Sequence, residues 1–170
     1  GSWARGRPSV VIPFSMKPGG VWLARCLDGH EPKYLNCGTR LGLYYHDRQA
    51  VPGYWRKSCS KVLYVVESAL DVLHWLSMCD ALRVPQALRK VVALNGCSLA
   101  SSDLPSLSGR HLVLILDRDA AGASGARRIL GTCHEVEVFL PPETWGPSPG
   151  DWNLEHFKTF SERHLLAYGS

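Results

Sequence analysis

The sequence has no apolar run of membrane-spanning length and no signal-peptide pattern, and it holds no internal repeat or low-complexity segment. These absences exclude a helical membrane protein and a repeat array, and they leave no reason to expect a membrane partner. Six cysteines stand at 26, 37, 59, 79, 97 and 133, with no C-x-x-C pair among them. The missing pair argues against a zinc ribbon and favours a reduced, cytoplasmic protein; Cys79 and Cys97, in apolar surroundings, read as small core residues. Acids are scarce as well, 15 against 19 Lys and Arg, for a net charge of +4. That balance permits nucleic acid as a partner without demanding it. The chain begins Gly1-Ser2 rather than with Met, which reads as a cloning remnant on a piece of a larger protein.

What is present, 170 residues with 45% hydrophobic side chains, suffices for one core plus a small appendage. Residues 3–60 read as a small, basic, β-rich region. After a loose lead-in with Arg5 and Arg7, Val10 to Phe14 and Val21 to Leu27 flank Pro18-Gly19-Gly20 as a β-hairpin. Leu41 to Tyr45 is expected as another short strand. Basic residues (Lys17, Arg25, Lys33, Arg40, Arg48, Arg56, Lys57) alternate with Tyr34, Tyr44, Tyr45, Tyr54 and Trp55. Cations and rings in this mixture suit single-stranded nucleic acid; a solvated face over an aromatic core has the same composition.

Residues 61–168 read differently. Lys61 to Val66, Val91 to Leu94 and the run 111–117 are strands apolar enough to be covered on both faces. Helices are expected from Ser68 to Leu82, over about 120–131 and from Leu154 to about Ala167, with a short helix or turn near Leu104 to Leu107. Glu135 to Leu140 alternates, as an edge strand does. The β-α-β-α order implies an α/β fold with a parallel sheet flanked by helices and joined by right-handed crossovers.

The acids gather at strand ends. Asp117 and Asp119 close the strand that begins at His111, two apart and therefore on one side of an extended chain. Glu67 closes another strand. Parallel strands end along a single edge, where open α/β sheets place their chemistry. Carboxylates there suit Mg²⁺ or Mn²⁺. A helix-capping turn would use an Asp-x-Asp equally well. Asp71, four residues after Glu67, would either assist the site or be solvated. Asp151, after a further strand and a glycine, has the same edge within reach.

Glu67-Ser-Ala-Leu-Asp71 followed by Asp117-Arg-Asp119-Ala-Ala-Gly122 resembles the Toprim domain of bacterial-type primases, topoisomerases and some nucleases. Glu31-Pro-Lys-Tyr-Leu-Asn36, Val11 to Phe14 with its hairpin, and Pro149-Gly-Asp151-Trp-Asn153 are similar to segments of the DnaG-type primase core. The likeness runs over roughly 9–160. It departs from the pattern at Ser68, where a glycine is usual, and at Arg118, where chromosomal primases carry glycine; the latter is closer to phage, plasmid or other mobile-element variants.

The resemblance implies a Toprim fold preceded by a small antiparallel β subdomain. It implies a DNA primase that makes short RNA primers on single-stranded DNA by metal-dependent nucleotidyl transfer. Its partners would be a DNA template, ribonucleoside triphosphates, and a helicase or template-reading domain in the full-length protein. Glu67, Asp117 and Asp119 would be catalytic and, with Asp151, would hold Mg²⁺ or Mn²⁺, with Asp71 as an accessory. Lys33, Asn36 and Arg40 would bind nucleotide or template. The alternative is a Toprim-type nuclease or topoisomerase-like module, because the same site serves phosphodiester cleavage. His74, His134 and His164 read as core or surface residues.

Overall fold

A computed structural model of the chain describes residues 7–13, 22–32, 34–37, 62–95, 107 and 109–168. The chain divides into two compact units, Gly1–Gly42 and Leu43–Ser170. Lys33, Arg40, the strand expected at 41–45 and the boundary expected near residue 60 lie outside the described residues, as does the side chain of Asn36.

The first unit carries a three-stranded antiparallel sheet: β1 (Ser9–Pro13), β2 (Trp22–Cys26) and β3 (Tyr34–Cys37), in that order. The hairpin forms as expected, with Ser9 opposite Cys26 and Pro13 opposite Trp22. The third strand was not anticipated; it is the Tyr-Leu-Asn end of the Glu31–Asn36 segment, with Tyr34 opposite Arg25 and Asn36 opposite Leu23. The Arg25 guanidinium lies over the Tyr34 ring, 4.6 Å from its centre, a cross-strand cation–π contact. Arg7, expected in a loose lead-in, is instead fastened: it donates to Asp28 through Nε (2.6 Å) and Nη2 (2.7 Å), and to the His30 carbonyl at 2.8 Å. This fork holds the Asp28-Gly29 turn, where Gly29 has a φ of +75°. The Arg7 partner holds the Asp28 carboxyl well below the usual carboxylate range.

The second unit is built on a four-stranded parallel sheet in the order β5-β4-β6-β7. Its strands are β4 (Val62–Val66), β5 (Val91–Ala93), β6 (His111–Ile115) and β7 (Val136–Val138). Every residue of β4 and β5 is buried, as are Leu112 to Leu116, which is why these strands read as unbroken apolar runs. β7 is the half-exposed edge strand that its alternation predicts.

Among the described residues three helices cover the sheet: α1 (Ala69–Leu82), α2 (Ala120–Leu130) and α3 (Leu154–Tyr168). The short helix or turn expected near 104–107 is outside the described residues except for Leu107, which is buried.

The two faces differ in chemistry. Leu63, Val65, Leu112, Leu114 and Leu116 pack with Ile129 of α2 in an aliphatic cluster. Tyr64 of β4 instead meets rings: Trp75 of α1, then Phe160 and His164 of α3, with centroids 5.1, 5.7 and 5.8 Å away. Each buried ring contributes large area and edge-to-face contacts. Cys26, Cys79 and Cys133 carry free thiols, and Cys79 is fully buried as expected. Among the described residues no helix is long and apolar enough to cross a membrane.

Candidate functional site

Strands β4, β5 and β6 finish level, because Val66 lies opposite both Ala93 and Ile115. Just beyond these ends lies a common edge: Glu67, one residue after β4, and Asn95 and Asp117, two residues after β5 and β6. The Asn95 N–H donates to the Glu67 carbonyl at 2.8 Å. Asn95 has a φ of 52°, in the left-handed region that asparagine tolerates better than most residues. Its place on this edge was not anticipated; the Asn-Gly pair after a strand signals only a turn.

Asp117 is half-buried, and its pKa is pushed up to about 7. Burial is the largest cause, followed by the charges of Glu67, Asp71, Asp119 and Asp151. Asp117 Oδ1 is buried and accepts no hydrogen bond among the described residues.

Asp119 fills the capping role that the sequence allowed. It is the N-cap of α2, its Oδ1 accepting from the Gly122 N–H at 2.7 Å. It is also exposed and close enough to raise the Asp117 pKa. Gly122 allows this turn to close: a Cβ there would run into the Asp117 carbonyl oxygen.

Asp71 is buried, so the solvated alternative is removed. Ser68 is the N-cap of α1 and Asp71 its third residue, joined in a capping box. Asp71 Oδ2 accepts from the Ser68 N–H (2.9 Å) and Oγ (2.7 Å), and the Ser68 Oγ accepts from the Asp71 N–H at 3.2 Å. The Gly150 backbone N–H also donates to this carboxylate. Burial raises the Asp71 pKa, against the pull of these hydrogen bonds.

Asp151 stands in a single 3-10 turn, Pro149–Asp151, and is exposed. Its Oδ2 accepts from the Ser148 N–H (3.1 Å) and Oγ (3.0 Å). The surrounding loop is held from two sides. The Arg118 N–H donates to the Pro147 carbonyl at 3.0 Å, and His74 Nε2 lies 2.7 Å from the Trp152 carbonyl, which it can only serve as donor. The Arg118 side chain is exposed, and its backbone makes the contact.

Arg127 and Arg128 are exposed in the last turn of α2, where cations suit the helix dipole. His164 is buried and stacked on Phe160 at 4.1 Å, its pKa lowered chiefly by burial. His134 is exposed.

The acids are hard-oxygen donors, and the unpartnered Asp117 oxygen fits the chemistry of a small divalent cation. Among the described residues, however, no group of three or more His, Cys, Asp or Glu is arranged to hold a metal ion. The acids thus meet through their fields rather than as an assembled ligand set.

The sequence model of the Toprim-like family matches residues 64–154, more than half of the chain and the stretch that contains all of these acids. The chain belongs to this family. Comparison with curated protein sequences finds no match.

Among solved structures, the chain is similar to the primase fragment of the bacteriophage T7 primase-helicase protein, with a TM-score of 0.60 and 16% identity over 96% of this chain. It is similar to a DnaG primase catalytic domain bound to single-stranded DNA, with a TM-score of 0.62 and 22% identity over 94% of this chain. It is also similar to the Escherichia coli primase catalytic core, with a TM-score of 0.59 and 22% identity over 94% of this chain. The chain spans 63%, 52% and 53% of these three structures. The fold is therefore the Toprim fold of primase catalytic cores, an α/β parallel sheet flanked by helices with a small antiparallel sheet before it.

Proposed function

We propose that the chain is the catalytic core of a DNA primase, which makes short RNA primers on single-stranded DNA by metal-dependent nucleotidyl transfer. The observation that carries this reading is Asp117, half-buried at the end of β6, its pKa pushed up to about 7 partly by Glu67, Asp71, Asp119 and Asp151. A carboxylate held among like charges is poised to trade its proton for a cation. Glu67, Asp117, Asp119 and Asp151 would hold Mg²⁺ or Mn²⁺, which supplies charge neutralisation for a triphosphate and orientation for a 3′-hydroxyl. The chain's own part is to present Glu67 and Asp117 from the ends of β4 and β6 and to keep Asp117 half out of water.

The likeness to primase structures supports primer synthesis over other Toprim chemistries. Lys33, Asn36 and Arg40, in or beside the 31–36 segment that resembles primases, would bind nucleotide or template. On this reading residues 3–60 form the basic subdomain and 61–168 the Toprim domain. The full-length protein works in the cytoplasm with a helicase or template-reading domain. Arg118 between the aspartates supports a mobile-element source.

The test incubates the full-length parent with single-stranded DNA, Mg²⁺ or Mn²⁺, and labelled ribonucleotides. Short labelled products are expected. Glu67→Gln and Asp117→Asn abolish them while the circular dichroism spectrum is retained. DNA degradation without synthesis assigns the site to a nuclease instead, and full activity in either variant removes the metal assignment.

A further inference from the structure

We propose that Asp71 is a positioning residue: it latches the 146–152 loop to the start of α1 and so sets Asp151 beside Asp117. The catalytic consequence rests on the cation-site reading above, whereas the latch itself does not. Asp71 is only 6% exposed. One oxygen, Oδ2, is taken by two donors of Ser68. The other faces Gly150, where an added Cβ would come within 2.7 Å of Asp71 Oδ1, and the Gly150 N–H donates to the carboxylate. A carboxylate whose lone pairs already receive protein donors is poorly placed to ligate a cation, and an acceptor-only group is what two backbone N–H groups require.

The loop is fastened at three points around Asp151. Pro147 is held by the Arg118 N–H, Gly150 by Asp71, and Trp152 by His74, three residues after Asp71 on the same helix. The Arg118 contact joins the loop directly to the Asp117–Asp119 turn. Asp151, exposed between these anchors, affects the Asp117 pKa, so slackening the loop moves one acid relative to the other. Outer groups that orient ligands in this way typically change metal affinity by about 10- to 100-fold when removed.

The test uses the full 170-residue chain. Asp71→Asn puts an amide where an acceptor is needed. Gly150→Ala presses a methyl on the same oxygen from the other side and leaves every charge in place. Both variants are expected to speed hydrogen exchange at the Arg118 and Trp152 amides roughly tenfold and to weaken Mn²⁺ binding about tenfold. The double variant binds Mn²⁺ no more weakly than the worse single one, because the two changes break one contact. Ser68→Gly, which removes the cap hydroxyl and keeps the Gly150 contact, leaves Arg118 exchange at the wild-type rate.

Unchanged exchange at Arg118 in both folded variants overturns the latch. So does Mn²⁺ binding lost in Asp71→Asn but kept in Gly150→Ala, which makes Asp71 a direct ligand. A wild-type chain that binds no Mn²⁺ counts against the cation reading alone, and the exchange rates still decide the latch.

Discussion

In the turns at 68–71 and 148–151 an aspartate Oδ2 accepts from the N–H and the hydroxyl of a serine three residues earlier. The distances are 2.9 and 2.7 Å in the first and 3.1 and 3.0 Å in the second. The first turn opens a helix of 14 residues and its aspartate is buried; the second is a single 3-10 turn and its aspartate is exposed. The same local chemistry therefore serves two ends. Where the carboxylate is shut away from water it must be satisfied by protein donors, and it becomes a structural joint. Where it faces solvent, water completes its shell, and it stays available to a ligand.

Exchanging the two roles by mutation tests this contrast. The largest difference is expected between Asp71→Ala and Asp151→Ala in urea unfolding. The first removes the acceptor of the Ser68 donors from a buried site and costs about 3 kcal/mol, the second less than about 0.5 kcal/mol. Equal losses would mean that burial does not separate the two turns. A smaller difference is expected between the serines: Ser68→Ala costs about 1 kcal/mol as a lost helix cap, and Ser148→Ala less than about 0.5 kcal/mol.

A separate test is a pH slope in the metal-free chain. The folded-state pKa of Asp117 is raised from 3.8 to about 7. The folded chain thus keeps a proton that the unfolded chain releases. This contribution to stability is complete below about pH 4 and is lost as pH rises through about 7. Asp117→Asn lacks it, so the wild-type minus variant difference in urea midpoint falls across that window; a flat difference would remove the raised pKa.

The parallel sheet was legible because its strands are buried on both faces and so spell unbroken apolar runs, as at Val62–Val66 and Leu112–Leu116. Helix ends were legible to within a residue or so because caps are local: Asp119 ahead of α2 falls where an Asp-x-Asp capping turn would put it. β3 was missed because its four residues, Tyr34–Cys37, are too few to show a period. The fate of Asp71 was missed for a different reason. Ser-x-x-Asp looks identical at 68 and 148, and only the approach of Gly150, some 80 residues away in sequence, decides which copy is buried. The lack of a side chain at Gly122, which is what lets the Asp117 turn close, leaves no sign in the sequence.

Arg118 contributes its N–H to Pro147 and leaves its side chain in solvent. The position between the two aspartates therefore calls for an N–H, which glycine and arginine both supply and proline lacks. An unnatural amino acid bearing a fluorophore, introduced there by codon reassignment, would report from the rim of the acidic edge while the turn beneath it stayed as it is.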